Sequence, residues 1–329
     1  MTRRLLQLLV AATTATLLVP LSAAPSIAAD ADPEIDCINE DTKDKEATPY
    51  YDARFEQGPE LSPALLQRFI PQGLTTWRNY YGDGQDLLVY TGYHEDGDTR
   101  RAVIQGVDPR DGSLTKSVRI GPGHAGGVAI HGEWAYVSAP QKQVRRYRLT
   151  ELALRFQGLE TDAMDGLEAG DVVGAASFLA VYGDILFVGM YEQESRSTMA
   201  KYQIRENGTI SNQVGNTIEV PANTQGLLVL PEYFVYSTSF KRTKRTKRSN
   251  IYVVKRGYEL LDNAVAAGQL ECFRAPTMSE GVTISQDRIY LLFESGASHY
   301  ADDEDDRGVP DRVIKHLHWA DREELPLLR

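Results

Sequence analysis

The stretch AGGVAIHGEWAYV, Ala125–Val137, sets a glycine before a short apolar run, then a turn, then a run of β-formers. The same phrase occurs as PQGLTTW at Pro71–Trp77, ASFLAVYGDILFV at Ala176–Val188, TQGLLVLPEYFVY at Thr224–Tyr236 and SEGVTISQDRIYLL at Ser279–Leu292. Aligned on Gly73, Gly127, Phe178, Gly226 and Gly281, its steps are 54, 51, 48 and 55 residues. A weak period of strand-like pieces near this length predicts a β-propeller with one blade per repeat.

Each repeat reads as an apolar strand, a turn such as Gly132-Glu133 or Gly183-Asp184, and a second, aromatic strand such as Tyr233–Tyr236. Third strands are expected at Ala102–Val107, Val144–Leu149, Met199–Ile204, Ile251–Lys255 and Arg312–Trp319. Outer strands are expected at Thr115–Ile120, Asn216–Val220 and Leu270–Arg274. The fifth repeat lacks an outer strand. The pattern supplies one from before the first phrase, at Leu65–Phe69, so that the chain ends interleave and close the ring. The fold class is therefore all-β: a five-bladed propeller of four-stranded antiparallel blades, closed by an N-terminal outer strand.

The chain divides into 1–29, 30–60 and 61–329. The first segment carries Arg3 and Arg4, an apolar run from Leu5 to Leu21 and small residues near Ala28, and reads as a signal peptide. The second is a polar arm and the third the propeller. The expected location is extracellular, with no membrane span in the mature chain, and a single closed ring is read as a monomer. The net charge of −11 becomes −13 once the two leader arginines are removed, which argues against nucleic acid as a partner. In an oxidising compartment Cys37 and Cys272 are expected to pair. Cys272 falls in the fourth outer strand, next to the place where the arm enters. The bridge would be worth on the order of 4–5 kcal/mol in the chain-entropy treatment.

The phrases PQGL, HAGG, SFL, TQGL and MSEG, with FESGASHY and PDRVI, resemble a family of secreted bacterial propellers over roughly Ile70 to Leu317. More loosely the chain is similar to YVTN-repeat and gluconolactonase-like propellers. That resemblance implies the fold and export, and no catalytic residues. Gluconolactonase-like enzymes hold a metal with carboxylates and amides around the channel; only Glu280 and Asn223 match such a set here.

The first strand of each blade lines the channel. The residue before the aligned position is Gln72, Gly126, Ser177, Gln225 or Glu280, and two residues earlier stand His124 and Asn223. One mouth is thus expected to gather Gln72, His124, Ser177, Asn223, Gln225 and Glu280, with Glu294 at the rim. Amides and hydroxyls suit a polar small molecule or a glycan or cell-wall polymer. Glu280 with His124 could carry acid–base work or hold a cation. The alternative is a ring of polar residues bonded to backbone and water in a wet channel. No cofactor is expected, Ca²⁺ being the one ion the acidic groups could take.

The rim loops His94–Asp98, Glu192–Glu194, Lys241–Arg248 and Asp302–Asp306 are placed on the same face. The basic run could meet a polyanion, or be a solvated hairpin tip. Gly121–Gly126 fits G-x-G-x-x-G, but a strand follows it, which excludes a dinucleotide site. The leading expectation is a binding module. A lactonase- or glycosidase-type hydrolase using Glu280 and a protein-interaction scaffold are the alternatives.

Overall fold

The structure is a computed structural model that describes residues 35–38, 48–174, 176–239, 249–301, 309–310 and 312–328, with backbone alone at 167–172. The leader, most of the arm, and the loops Lys241–Arg248 and Asp302–Asp306 lie outside the described residues.

A short helix α1 (Pro49–Asp52) precedes strand β1 (Glu56–Glu60) and a second short helix α2 (Pro63–Leu66). Five blades follow in order. Blade one is β2 (Phe69–Gly82), β3 (Gln85–His94), β4 (Arg101–Val107) and β5 (Val118–Pro122). Blade two is β6 (Val128–His131), β7 (Trp134–Ala139), β8 (Gln143–Arg148) and β9 (Leu167–Val172). Blade three is β10 (Phe178–Tyr182), β11 (Ile185–Gly189) and β12 (Ser197–Ile204), its outer edge split between β13 (Ile210–Gln213) and β14 (Ile218–Val220). Blade four is β15 (Thr224–Val229), β16 (Tyr233–Thr238), β17 (Ser249–Lys255) and β18 (Leu270–Ala275). Blade five is β19 (Ser279–Ser285), β20 (Arg288–Phe293) and β21 (His316–Asp321), with β1 as its outer strand. All neighbouring strands are antiparallel, and the five-bladed propeller is the fold.

Because every blade is covered on both faces, its strands are apolar at both alternations. In β3, Leu87 and Val89 pack into the core between blades one and two, while Leu88 and Tyr90 pack between blades five and one. In β15 and the residue after it, Leu227 and Val229 face blade three, and Leu228 and Leu230 face blade five.

The inner strands converge so closely that the aligned glycines leave no room for a side chain. A Cβ on Gly281 would lie 2.4 Å from the Leu74 amide nitrogen, and one on Gly226 would lie 2.3 Å from the Glu280 carbonyl oxygen. Gly73 and Gly127 would meet Val128 and Leu179 at 2.9 Å and 2.4 Å. Phe178 is the exception in this column. Its ring lies over Gly189, its antiparallel partner, where a Cβ would fall 1.8 Å from the ring. A glycine on the second strand thus accommodates the missing glycine on the first.

The ring closes at its ends, but one expectation is corrected. The outer strand of blade five is Glu56–Glu60, not Leu65–Phe69. Pro63 sits in a first helical turn capped by Ser62, whose hydroxyl accepts the Leu65 amide at 3.4 Å, so that stretch is helical and Phe69 already begins β2. Glu-Gln-Gly-Pro-Glu has little intrinsic strand preference and is held by its partner. Gly58 fits because a Cβ there would sit 2.9 Å from the Leu317 carbonyl oxygen, and Pro59 is tolerated on an edge. The last third strand likewise runs His316–Asp321 rather than Arg312–Trp319, and the outer edge of blade three is divided rather than single.

Tyr51 fixes the entering chain. It is fully buried, stacks on Phe55 at 4.3 Å, and its hydroxyl meets His318 Nδ1 at 2.9 Å. Burial pushes the His318 imidazole down to about 4, so it stands neutral in this contact. Arg312 grips Asp52 with two hydrogen bonds of 2.6 and 2.9 Å. Upstream, Ile38 runs parallel to Phe273 on the outer edge of blade four, its amide donating to the Cys272 carbonyl at 2.8 Å. The Cys37–Cys272 disulfide forms there, with Cα atoms 4.7 Å apart.

Gly281→Ala should therefore destabilise the ring by about 1–3 kcal/mol, because the backbone of β2 must move. Gly174→Ala, whose Cβ would meet only the Tyr202 hydroxyl at 3.8 Å, should change stability by less than about 0.5 kcal/mol. Urea unfolding of the two variants checks this contrast.

Candidate functional site

Of the residues before the aligned positions, Gln72 and Glu280 are the buried polar ones. Glu280 is 1% exposed. Neither of its carboxylate oxygens has a hydrogen-bond partner among the described residues. Ser239, entering from blade four, lies near enough to favour the charged form weakly, without hydrogen-bond geometry. Burial, and then the charge of Glu294, push the Glu280 carboxyl well above the ordinary carboxylate range. Its field and that of Glu294 also reach Tyr93 from blade one and Tyr191 from blade three. A carboxyl on blade five felt by blades one, three and four points towards the channel axis.

Glu294, just past β20, is held differently. It accepts Gln72 Nε2 at 3.2 Å and the Tyr300 hydroxyl at 2.8 Å, two donors that favour its ionised form. Gln72 is buried, and its Nε2 also donates to the Pro71 carbonyl at 3.0 Å. Its Oε1 has no partner among the described residues. The Tyr300 hydroxyl lies 3.5 Å from that of Tyr93, and Tyr93 stacks on His124 at 4.1 Å. Gln72, Glu280, Glu294, Tyr93 and Tyr300 thus form one group.

The other expected residues are placed around it in varied roles. His124 is exposed, and its Nδ1 pairs with Asp98 at 3.2 Å, so it stands on the rim rather than beside Glu280. Asn223 is a clip between blades. Its Oδ1 accepts the Tyr191 hydroxyl at 3.1 Å and its Nδ2 donates to the Gln193 carbonyl at 2.8 Å. Ser177 Oγ accepts the Tyr191 amide at 3.0 Å, and Gln225 is half-buried. Asn223 and Met278 enter their inner strands with φ of 60° and 63°, a left-handed turn that costs a buried methionine backbone strain.

Sequence reasoning missed the three tyrosines. Tyr93 is the last residue but one of β3 and Tyr191 stands two residues past β11, so an aromatic residue at the end of a second strand was their available signal. The far mouth offers a contrast. Its cavity of about 340 Å³ is lined by Thr76, Arg78, Ile130, His131 and Thr283. There the Thr76 and Thr283 hydroxyls already meet at 3.0 Å, and His131 pairs with Asp184 at 3.2 Å. Among the described residues no three His, Cys, Asp or Glu side chains gather closely enough to hold a metal ion.

No protein-family model matches the chain, and no curated protein does. Among solved structures it is similar to a glutaminyl cyclase from Myxococcus xanthus, at 11% identity and a TM-score of 0.46, over 81% of this chain and 93% of that one. It is also similar to the designed protein Ika8, at 10% identity and a TM-score of 0.32 over 73% of each chain. A 6-phosphogluconolactonase candidate from Bacteroides fragilis matches at 14% identity and a TM-score of 0.33, over 62% of this chain and 56% of that one. These neighbours are β-propellers.

A buried acid without partners lowers stability where it must ionise. Unfolded Glu280 ionises in the ordinary range, while the folded carboxyl holds its proton to higher pH. Its contribution is fully present below the ordinary range and is lost as pH rises towards the raised value. Glu280→Gln, which does not titrate, should raise the melting temperature at neutral pH by about 2–4 °C and flatten its decline on the alkaline side. Thermal unfolding of both proteins across that range is the check.

Proposed function

We propose that the protein is an exported binding module that takes a small polar ligand at the Glu280 mouth of its channel. The observation that supports this reading is the fully buried Glu280 carboxyl, which has no hydrogen-bond partner among the described residues. A group in that state costs about 1–3 kcal/mol, and stability alone gives no reason to keep it. A ligand that satisfies it does. Export rests on the Arg3-Arg4 leader and its apolar run, and accords with the disulfide at Cys37. Among the described residues no helix is long and apolar enough to cross a membrane.

A second reading is supported by the two carboxyls themselves. Glu280 is driven towards the neutral acid while Glu294 accepts hydrogen bonds from Gln72 and Tyr300, a difference of environments that suits a general acid beside a general base or nucleophile. A lactone or glycoside hydrolase would use Glu280 as the acid.

Thermal-shift screening of sugars, amines, wall fragments and Ca²⁺ tests the binding reading. At a hundred times its dissociation constant a ligand should raise the wild-type melting temperature by about 5–10 °C, and leave Glu280→Gln unmoved. Equal shifts in both proteins would remove the mouth from the account. Turnover of lactone or aryl-glycoside substrates that is lost in Glu280→Gln would establish the hydrolase.

A further inference from the structure

We propose that the group bound at this mouth is an organic ammonium, its positive nitrogen seated among Glu280, Glu294 and the Gln72 carbonyl oxygen and walled by Tyr93 and Tyr191. This inference rests on the reading of the Glu280 mouth as a ligand site.

The unsatisfied atoms argue for it first. Among the described residues, Glu280 Oε1 and Oε2 and Gln72 Oε1 are buried without partners, all of them acceptors once Glu280 is ionised. Apart from the Ser239 hydroxyl near Glu280, the side-chain donors around them are engaged. Gln72 Nε2 is spent on Pro71 and Glu294, and the Tyr300 hydroxyl on Glu294. The Tyr191 hydroxyl and the Asn223 amide are spent on each other and on the Gln193 carbonyl. Once Glu280 is ionised, the open positions of this group are acceptors, and a ligand that brings only acceptors is poorly matched to them. An ammonium brings three donors and no acceptor.

Charge argues the same way. The charge that raises the Glu280 carboxyl is that of another acid, Glu294, and the field of both carries to Tyr93 and Tyr191. A cation entering between the two acids relieves that repulsion, and the proton of Glu280 leaves to solvent as the ion pair forms. The ring faces of tyrosines supply a further attraction for a soft organic cation. A bare metal ion is less well served, since no group of three His, Cys, Asp or Glu side chains converges among the described residues.

Matched probes separate this inference from the reading beneath it. Calorimetry of the full chain with glucosamine, glucose and N-acetylglucosamine varies one nitrogen on one ring, and ethanolamine carries the ammonium without the sugar. The expected result is that glucosamine and ethanolamine bind at least about tenfold more tightly than the two neutral sugars. That preference should vanish in Glu280→Gln, whose fold is verified by its melting temperature. Binding at neutral pH should also release a proton, seen as a heat that depends on the buffer. Neutral sugars binding as tightly as the amines, with loss in Glu280→Gln, would overturn the ammonium and leave the mouth as a polar site. Binding by none of the four would overturn the ammonium and weaken the mouth with it. Amine binding that is unchanged in Glu280→Gln would place the cation elsewhere.

Discussion

Five inner strands share one axis, and the space between their backbones is smaller than a methyl group at four of the five aligned positions. The rest of the molecule follows from that approach. Gly73, Gly127, Gly226 and Gly281 let the inner strands meet, the blades then fan outwards, and the gaps between them fill with aliphatic and aromatic side chains from both faces of every sheet. Where the column departs from glycine, at Phe178, the deficit is transferred to Gly189 on the next strand. Closure through β1, Tyr51 and the disulfide keeps the last blade from opening, because a ring held at its axis still needs its seam joined.

The same packing sets the chemistry of the mouth. Glu280 is 1% exposed, and burial together with the charge of Glu294 pushes its carboxyl well above the ordinary range. Gln72 turns its amide nitrogen to Glu294 and leaves its oxygen to the channel, so the open valences of the mouth are of one kind. The strained entry at Met278, immediately before Ser279 and Glu280, is consistent with a site whose geometry is over-determined by its surroundings.

The blade count and the order of strands were legible because the repeat is written in the glycine column and in strands apolar at both alternations. Cys37–Cys272 was legible from topology. The closing strand was not. Glu56–Glu60 has no strand signature of its own, and its pairing with β21 comes from Gly58 fitting against Leu317 and Trp319. Of the site, Glu280, Gln72 and Glu294 were visible as the polar breaks in the repeat and at its rim. Sequence could not show that Asn223 is consumed by Tyr191 and Gln193, or that His124 stands over Tyr93, because those partners come from loops whose courses are set by tertiary packing.

The central claim is that Glu280 is a buried acid without a hydrogen-bond partner among the described residues, its carboxyl pushed well above the ordinary range. Infrared difference spectroscopy between wild type and Glu280→Gln at neutral pH reads this directly. The account predicts a carbonyl stretch of a protonated carboxylic acid in the wild type that is absent in the variant. A difference spectrum showing only ionised carboxylate bands lost on substitution would contradict it.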